Sequence, residues 1–107
     1  MALRHKWLEE AQAELNETLV YVSREFGERV AERVFSEAKD CAQRLTCFPD
    51  MGMRYRNLFY KGKEVRVFHL RKSSIIYFYD NETLIILSFW NNQRDDSKIE
   101  EVVEGRE

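Results

Sequence analysis

A chain of 107 residues, 44% hydrophobic and 34% charged, has the size of one domain and the composition of a globular protein, which excludes a disordered or low-complexity polypeptide. The start, Met1-Ala2-Leu3-Arg4-His5-Lys6, is charged with no apolar run behind it, and the densest apolar stretch, residues 74–90, is broken by Asp80-Asn81-Glu82, so neither a leader nor a membrane span is expected and the cytoplasm is the expected compartment. The formal net charge is only −2, but residues 54–72 hold seven basic side chains against one acid, while the flanking segments are both acidic.

Residues 2–7 are short and without clear periodicity, and read as a first strand. Ala11, Leu15, Leu19, Val22 and Phe26 then recur at helical spacing, and Gly27 follows as a left-handed helix cap would. A second stripe runs Val30, Ala31, Val34, Phe35, Ala38, Ala42 and Leu45, and Phe48-Pro49-Asp50-Met51-Gly52 ends it. Two long helices meeting at one glycine predict a tight antiparallel hairpin. Cys41 and Cys47, six apart on a helix, face different ways, so both read as reduced packing residues rather than a disulfide or a zinc site.

Strands follow. From Glu64 to Leu70 the apolar positions alternate at Val65 and Val67 and then shift to Phe68 and Leu70, which predicts a β-bulge near Val67. Residues 74–79 and 83–90 are rich in β-branched and aromatic side chains and are joined through Asp80-Asn81-Glu82 as a hairpin. The expected fold is therefore α+β, a helical hairpin on a small antiparallel sheet in the order β-α-α-β-β-β, with residues 1–107 one domain and 95–107 a tail or short helix. A helical hairpin covers one face of such a sheet. The other face is expected to stay apolar and bare for a partner chain, with a homodimer or the tail, through Ile99, Val102 and Val103, as the other ways to cover it.

These elements resemble, in order and spacing, the RelE/ParE toxin superfamily, closer to its ParE branch. Leu8-Glu9-Glu10-Ala11-Gln12-Ala13-Glu14-Leu15 is similar to the opening of the first helix of those toxins, and Tyr21-Val22 with Phe26-Gly27 to its ending. Leu45, Phe48-Pro49 and Gly52 resemble the exit from the second helix. Glu64-Val65-Arg66, Ile75-Ile76-Tyr77 and Arg94-Asp95 resemble later strand and C-terminal motifs, so the likeness spans about residues 3 to 96. It implies the toxin of a type II toxin–antitoxin pair, neutralised by a cognate antitoxin whose C-terminal segment wraps it. Some members poison DNA gyrase and others cleave messenger RNA in the ribosome. The chain departs from the ribonuclease branch at Ser74, where an arginine is usual, and at Asn91, where a histidine is usual.

Cleaving RNA through its 2′-hydroxyl needs a base, an acid and cations around the phosphorane. Arg66, His69, Arg71 and Arg94 are the candidates for that chemistry, if it is present. His69 and Arg66 also fit a packing histidine and a structural ion pair. Arg54, Arg56, Lys61, Lys63, Lys72, Tyr77, Tyr79 and Trp90 are candidates for contacts to the antitoxin or target, the two tyrosines also fitting core positions. The basic segment equally fits an edge strand protected against aggregation. The four glycines are too scattered for a nucleotide loop and no His/Cys/carboxylate spacing suits a metal, so no cofactor or metal is expected. Nor is membrane binding, or sequence-specific DNA binding by this chain alone. A protein target such as gyrase is expected ahead of a ribosome-dependent endonuclease, since broad positive charge, which RNA binding rewards, is missing.

Overall fold

A computed structural model describes residues 2–106. Met1 and Glu107, the ends of the expected single domain, lie outside the described residues. β1 (Arg4–Trp7) leads into α1 (Glu9–Phe26), α2 (Glu28–Cys47) and a 3-10 turn (Pro49–Met51). Four strands follow: β2 (Met53–Tyr60), β3 (Lys63–His69), β4 (Ser73–Tyr79) and β5 (Thr83–Asn91). A second 3-10 turn (Asp96–Lys98) and a short helix, α3 (Ile99–Glu104), complete the described chain. The α+β class and the paired helices are as the periodicity predicts, and β2 is one strand more than expected.

Gly27 alone joins the helices. Its φ of 97° is a conformation that L side chains rarely adopt, and its N–H closes α1 onto Ser23 O at 3.0 Å. Its ψ of 164° lies outside the left-handed helical region expected of the cap, because this residue must also turn the chain into α2. No neighbour lies within 4 Å of a Cβ placed there, so the backbone angle itself demands glycine.

The sheet order is β1-β5-β4-β3-β2, with β1 parallel to β5 and the other pairs antiparallel. Its inner face packs on the hairpin: Ala11, Leu15, Ala38, Cys41, Ala42 and Leu45 meet Ile75, Tyr77, Leu84, Ile86 and Phe89. Both strands 75–78 and 84–90 are apolar on two sides because both sheet faces are covered.

The bulge expected near Val67 lies elsewhere. β3 and β4 pair without a slip from Arg66↔Tyr77 to His69↔Ser74. Val65 and Val67 simply face outward, and Phe68 and Leu70 inward, so the shift that looked like a bulge is one strand with two apolar faces. The irregularities are on the neighbours. Residues 55–58 of β2 stand opposite Val65 alone, and Leu87 of β5 is the extra residue between Ile76↔Ser88 and Tyr77↔Ile86. Leu87 reverses the parity of β5, turning Phe89 inward and Trp90 outward.

The outer sheet face is not bare. Ile99 and Val103 of α3 pack on Leu58, Val65, Val67, Ile76, Leu87 and Trp90. Their spacing of four puts both on one side of the helix, which suffices to close so small a face. Arg106 fastens the end: its Nε donates to Leu87 O at 2.9 Å, its Nη2 lies 2.8 Å from Glu14 Oε2 on α1, and Tyr60 Oη donates to its carbonyl at 3.1 Å. The vacancy foreseen for a partner is filled by the chain's own last helix. Cys41 is buried with its thiol pushed up to about 11, chiefly by burial, whereas Cys47 is exposed and does not serve the packing role expected of it.

Candidate functional site

The apolar stripe of α1 outruns the sheet. Ala11 and Leu15 are fully buried, but Val22 is only half-buried and Phe26 is 58% exposed. On α2, Val30 and Val34 are half-buried likewise. With Thr18, Leu70 and Phe89 they line a groove of about 220 Å³ between the outer half of the hairpin and the β3–β4 turn. Charged residues border it: Arg33 and Glu37 from α2, and Arg71 and Lys72 from the turn. Lys72 Nζ stands 5.9 Å from the Phe26 ring centre. A groove whose floor is aliphatic and aromatic, with three cations and one acid around it, suits an apolar polypeptide segment with acidic flanks.

A second, polar pocket of about 420 Å³ opens on the outer face beside α3. Tyr55, Val67, Trp90 and Ile99 supply apolar surface, and His69, Ser74, Asn92, Arg94, Asp95 and Asp96 the polar groups. Sheet register brings them together, since His69 pairs with Ser74 and Ser74 with Trp90. His69 Nδ1 and Asn92 Oδ1 each lie 2.6 Å from Ser74 Oγ. Arg94 stacks over the Trp90 ring at 4.1 Å and reaches Glu14 Oε2 at 3.9 Å.

The four residues named as candidates for RNA cleavage, if that chemistry is present, do not converge. His69 and Arg94 share this pocket, and Arg71 lines the apolar groove instead. Arg66 faces the inner side, where Nη1 donates to Gly52 O at 2.7 Å and Nη2 lies 3.3 Å from Asp50. That is the structural ion pair which parity along a two-faced strand dictates.

Tyr77 and Tyr79, expected among the contact residues, belong to the same knot. Tyr77 is fully buried; its hydroxyl accepts from Gly52 N at 3.0 Å and donates to Pro49 O at 2.6 Å. Burial pushes its phenol up to about 12. Tyr79 Oη donates to Asp50 Oδ1, a bond that raises its own ionisation range. Trp90 is 2% exposed. Neither Tyr77 nor Trp90 therefore presents a surface to a partner in this conformation.

The basic residues of β2 and β3 are exposed but scattered. Arg54 pairs with Glu64 at 3.2 Å, and Arg56, at φ 51°, lies 5.0 Å from the Tyr55 ring centre. Lys61, at φ 50°, forms with Gly62 the two-residue β2–β3 turn, its Nζ 5.4 Å from the Tyr60 ring, and Lys63 begins β3. Only Lys72 of this set reaches the groove. Asn92, Tyr55 and the groove residues Val22, Val30 and Val34 were not singled out as site residues. Val22 bears a signal all the same: the α1 stripe is longer than so small a sheet can cover.

A helical hairpin on a five-stranded sheet, with an apolar groove left at the hairpin's outer end, defines a small α+β protein. The family described as the ParE toxin of the type II toxin–antitoxin system, parDE, matches residues 5–96, and the chain belongs to that family of toxins. A solved structure, the chromosomal ParDE toxin–antitoxin system from P. aeruginosa, matches with a TM-score of 0.68 at 18% identity, over 84% of this chain and 96% of that one. No curated protein matches the sequence significantly. Among the described residues, no helix is long and apolar enough to cross a membrane.

Proposed function

We propose that this toxin is held inactive by a cognate antitoxin whose folding-on-binding segment seats in the groove between the outer half of α1–α2 and the β3–β4 turn. The observation that carries the reading is that groove: a ParE-family chain leaves Val22, Phe26, Val30 and Val34 without a covering element, although its outer sheet face is closed. Each apolar anchor that a partner buries there contributes roughly 1.5–3 kcal/mol. Arg33, Arg71 and Lys72 favour acidic residues beside those anchors. The ParDE system whose fold this chain shares gives the same kind of partner by analogy.

The target is a protein, DNA gyrase being the candidate that the family resemblance implies. The dispersal of Arg66, His69, Arg71 and Arg94 over three places supports binding rather than nuclease chemistry. The alternative, a ribosome-dependent messenger-RNA endonuclease, draws on His69 and Arg94 in the polar pocket.

Co-expression with the adjacent short open reading frame tests the pairing: the two proteins are expected to co-purify and the growth defect to be relieved. Val22→Glu is expected to weaken the complex about tenfold to a hundredfold, one lost anchor's worth. Supercoiling by gyrase beside primer extension on translating ribosomes tests the target. Inhibited supercoiling without cuts is expected; ribosome-dependent cuts abolished by Arg94→Ala contradict it.

A further inference from the structure

We infer that one polypeptide segment of the partner covers two adjoining hollows, the apolar groove and a second depression further along α1. This rests on the reading of the groove as the antitoxin's seat, and adds how far that segment runs and what it is made of. The second hollow, of about 210 Å³, lies between α1 and the end of β5, with Glu14, Glu17 and Tyr21 on one wall and Asn91 and Arg94 on the other. Thr18 and Phe89 line both hollows, so the two meet along that pair of residues. Phe26 lines the groove and Tyr21 the second hollow. Both are 58% exposed, and they pack edge to face with ring centres 6.4 Å apart. Two large rings in contact, each at the side of a different hollow, make one apolar track of what would otherwise be two separate sites.

The crossing between the hollows is already satisfied. Thr18 Oγ1 donates to Glu14 O at 3.0 Å, and Phe89 N donates to Glu14 Oε1 at 3.3 Å. A chain passing over that pair strips water from no unpaired donor there, so continuing costs it little. Charge then sets the segment's composition. Around the groove Arg33, Arg71 and Lys72 outnumber Glu37. The hairpin tip adds two exposed groups of each sign, Arg24, Arg29, Glu25 and Glu28, and leaves that excess in place. At the second hollow the signs balance: Glu14 and Glu17 stand with Arg94 and with Arg106, which lies 2.8 Å from Glu14. The segment is therefore acidic beside the β3–β4 turn, apolar over the groove floor, and polar but uncharged where it reaches Asn91. From Phe26 to Glu14 the track follows about 18 Å of helix axis, the reach of roughly five or six extended residues.

The test titrates the purified chain with the protein encoded by the adjacent short open reading frame, by calorimetry, using variants of exposed residues whose melting temperatures match wild type. Tyr21→Ala and Lys72→Glu are each expected to weaken binding about tenfold or more. Val20→Ala, 56% exposed but lining neither hollow, and Glu17→Gln are expected to stay within about twofold of wild type. Full affinity in Tyr21→Ala beside a loss in Val22→Glu overturns the continued track and leaves the groove standing. A loss in Glu17→Gln as large as that in Lys72→Glu overturns the uncharged far end. No binding by the wild-type chain overturns the groove reading and this inference together.

Discussion

Tyr77 shows how a single side chain can be mistaken for a contact residue. A tyrosine in an apolar strand looks like a binding group because its hydroxyl has no visible partner in the sequence. The partners are Pro49 O and Gly52 N, more than twenty residues upstream, where α2 has ended and the chain must re-enter the sheet. Tyr77→Phe leaves that buried N–H unpaired, and chemical denaturation is expected to show a loss of about 1–3 kcal/mol. Alkali tests the same bond. The Tyr77 phenol titrates near 10 in the unfolded chain and at about 12 in the fold, so the native state holds its proton longer. Stability from this group is full below pH 10 and falls as pH rises towards 12. Unfolding followed from pH 9 to 12 is expected to lose part of that slope in Tyr77→Phe. Gly52 is tied to the same ring: a Cβ there would fall 2.5 Å from Tyr77 Oη, although its φ of −76° is ordinary. Gly52→Ala is thus expected to cost about 1–3 kcal/mol through overpacking, read as a lower melting temperature. A Gly52→Ala protein as stable as wild type would deny the close fit.

The helical hairpin was legible residue by residue, because two 3.6-residue stripes met at Gly27 with nothing between them. α3 was legible only as one possibility among several. Ile99, Val102 and Val103 form a weak stripe among acids, and nothing local says that six helical residues suffice to close a sheet face. The bulges escaped for a related reason. Periodicity reports a change of face but not its strand: Leu87 makes the switch in β5, while the two-faced β3 merely imitates one. β2 was missed because Arg54, Arg56 and Asn57 interrupt its apolar pattern, and its irregular pairing at residues 55–58 hides the rest. α3 as a structural cover has a measurable consequence. Ile99→Ala is expected to cost about 2–5 kcal/mol, the range for emptying a buried aliphatic site, in a urea titration. A chain ending at Asp95 is expected to bind a hydrophobic dye and self-associate, since Val65, Val67, Ile76 and Leu87 would face water. A truncated chain that stays monomeric with unchanged stability would mean that the helix covers nothing of weight.

For the molecule as a whole, the sheet divides two surfaces with different tasks. The inner side carries the hairpin, whose outer half overhangs the sheet and leaves an apolar groove among Arg33, Arg71 and Lys72. The outer side is sealed by α3 and latched by Arg106 to Glu14 across the edge of β5. The sequence pattern foretold that apolar surface would be left over, and placed it on the wrong side, since the hairpin's overhang depends on helix length against sheet width. The groove is therefore the place to look for a partner. Hydrogen exchange of the toxin with and without its cognate antitoxin measures this most directly. Slowed exchange is predicted along residues 18–37 and 70–73, with 96–104 unchanged. Protection confined to residues 96–104 and the outer strands, with the hairpin exchanging as in the free chain, would contradict the groove as the docking surface.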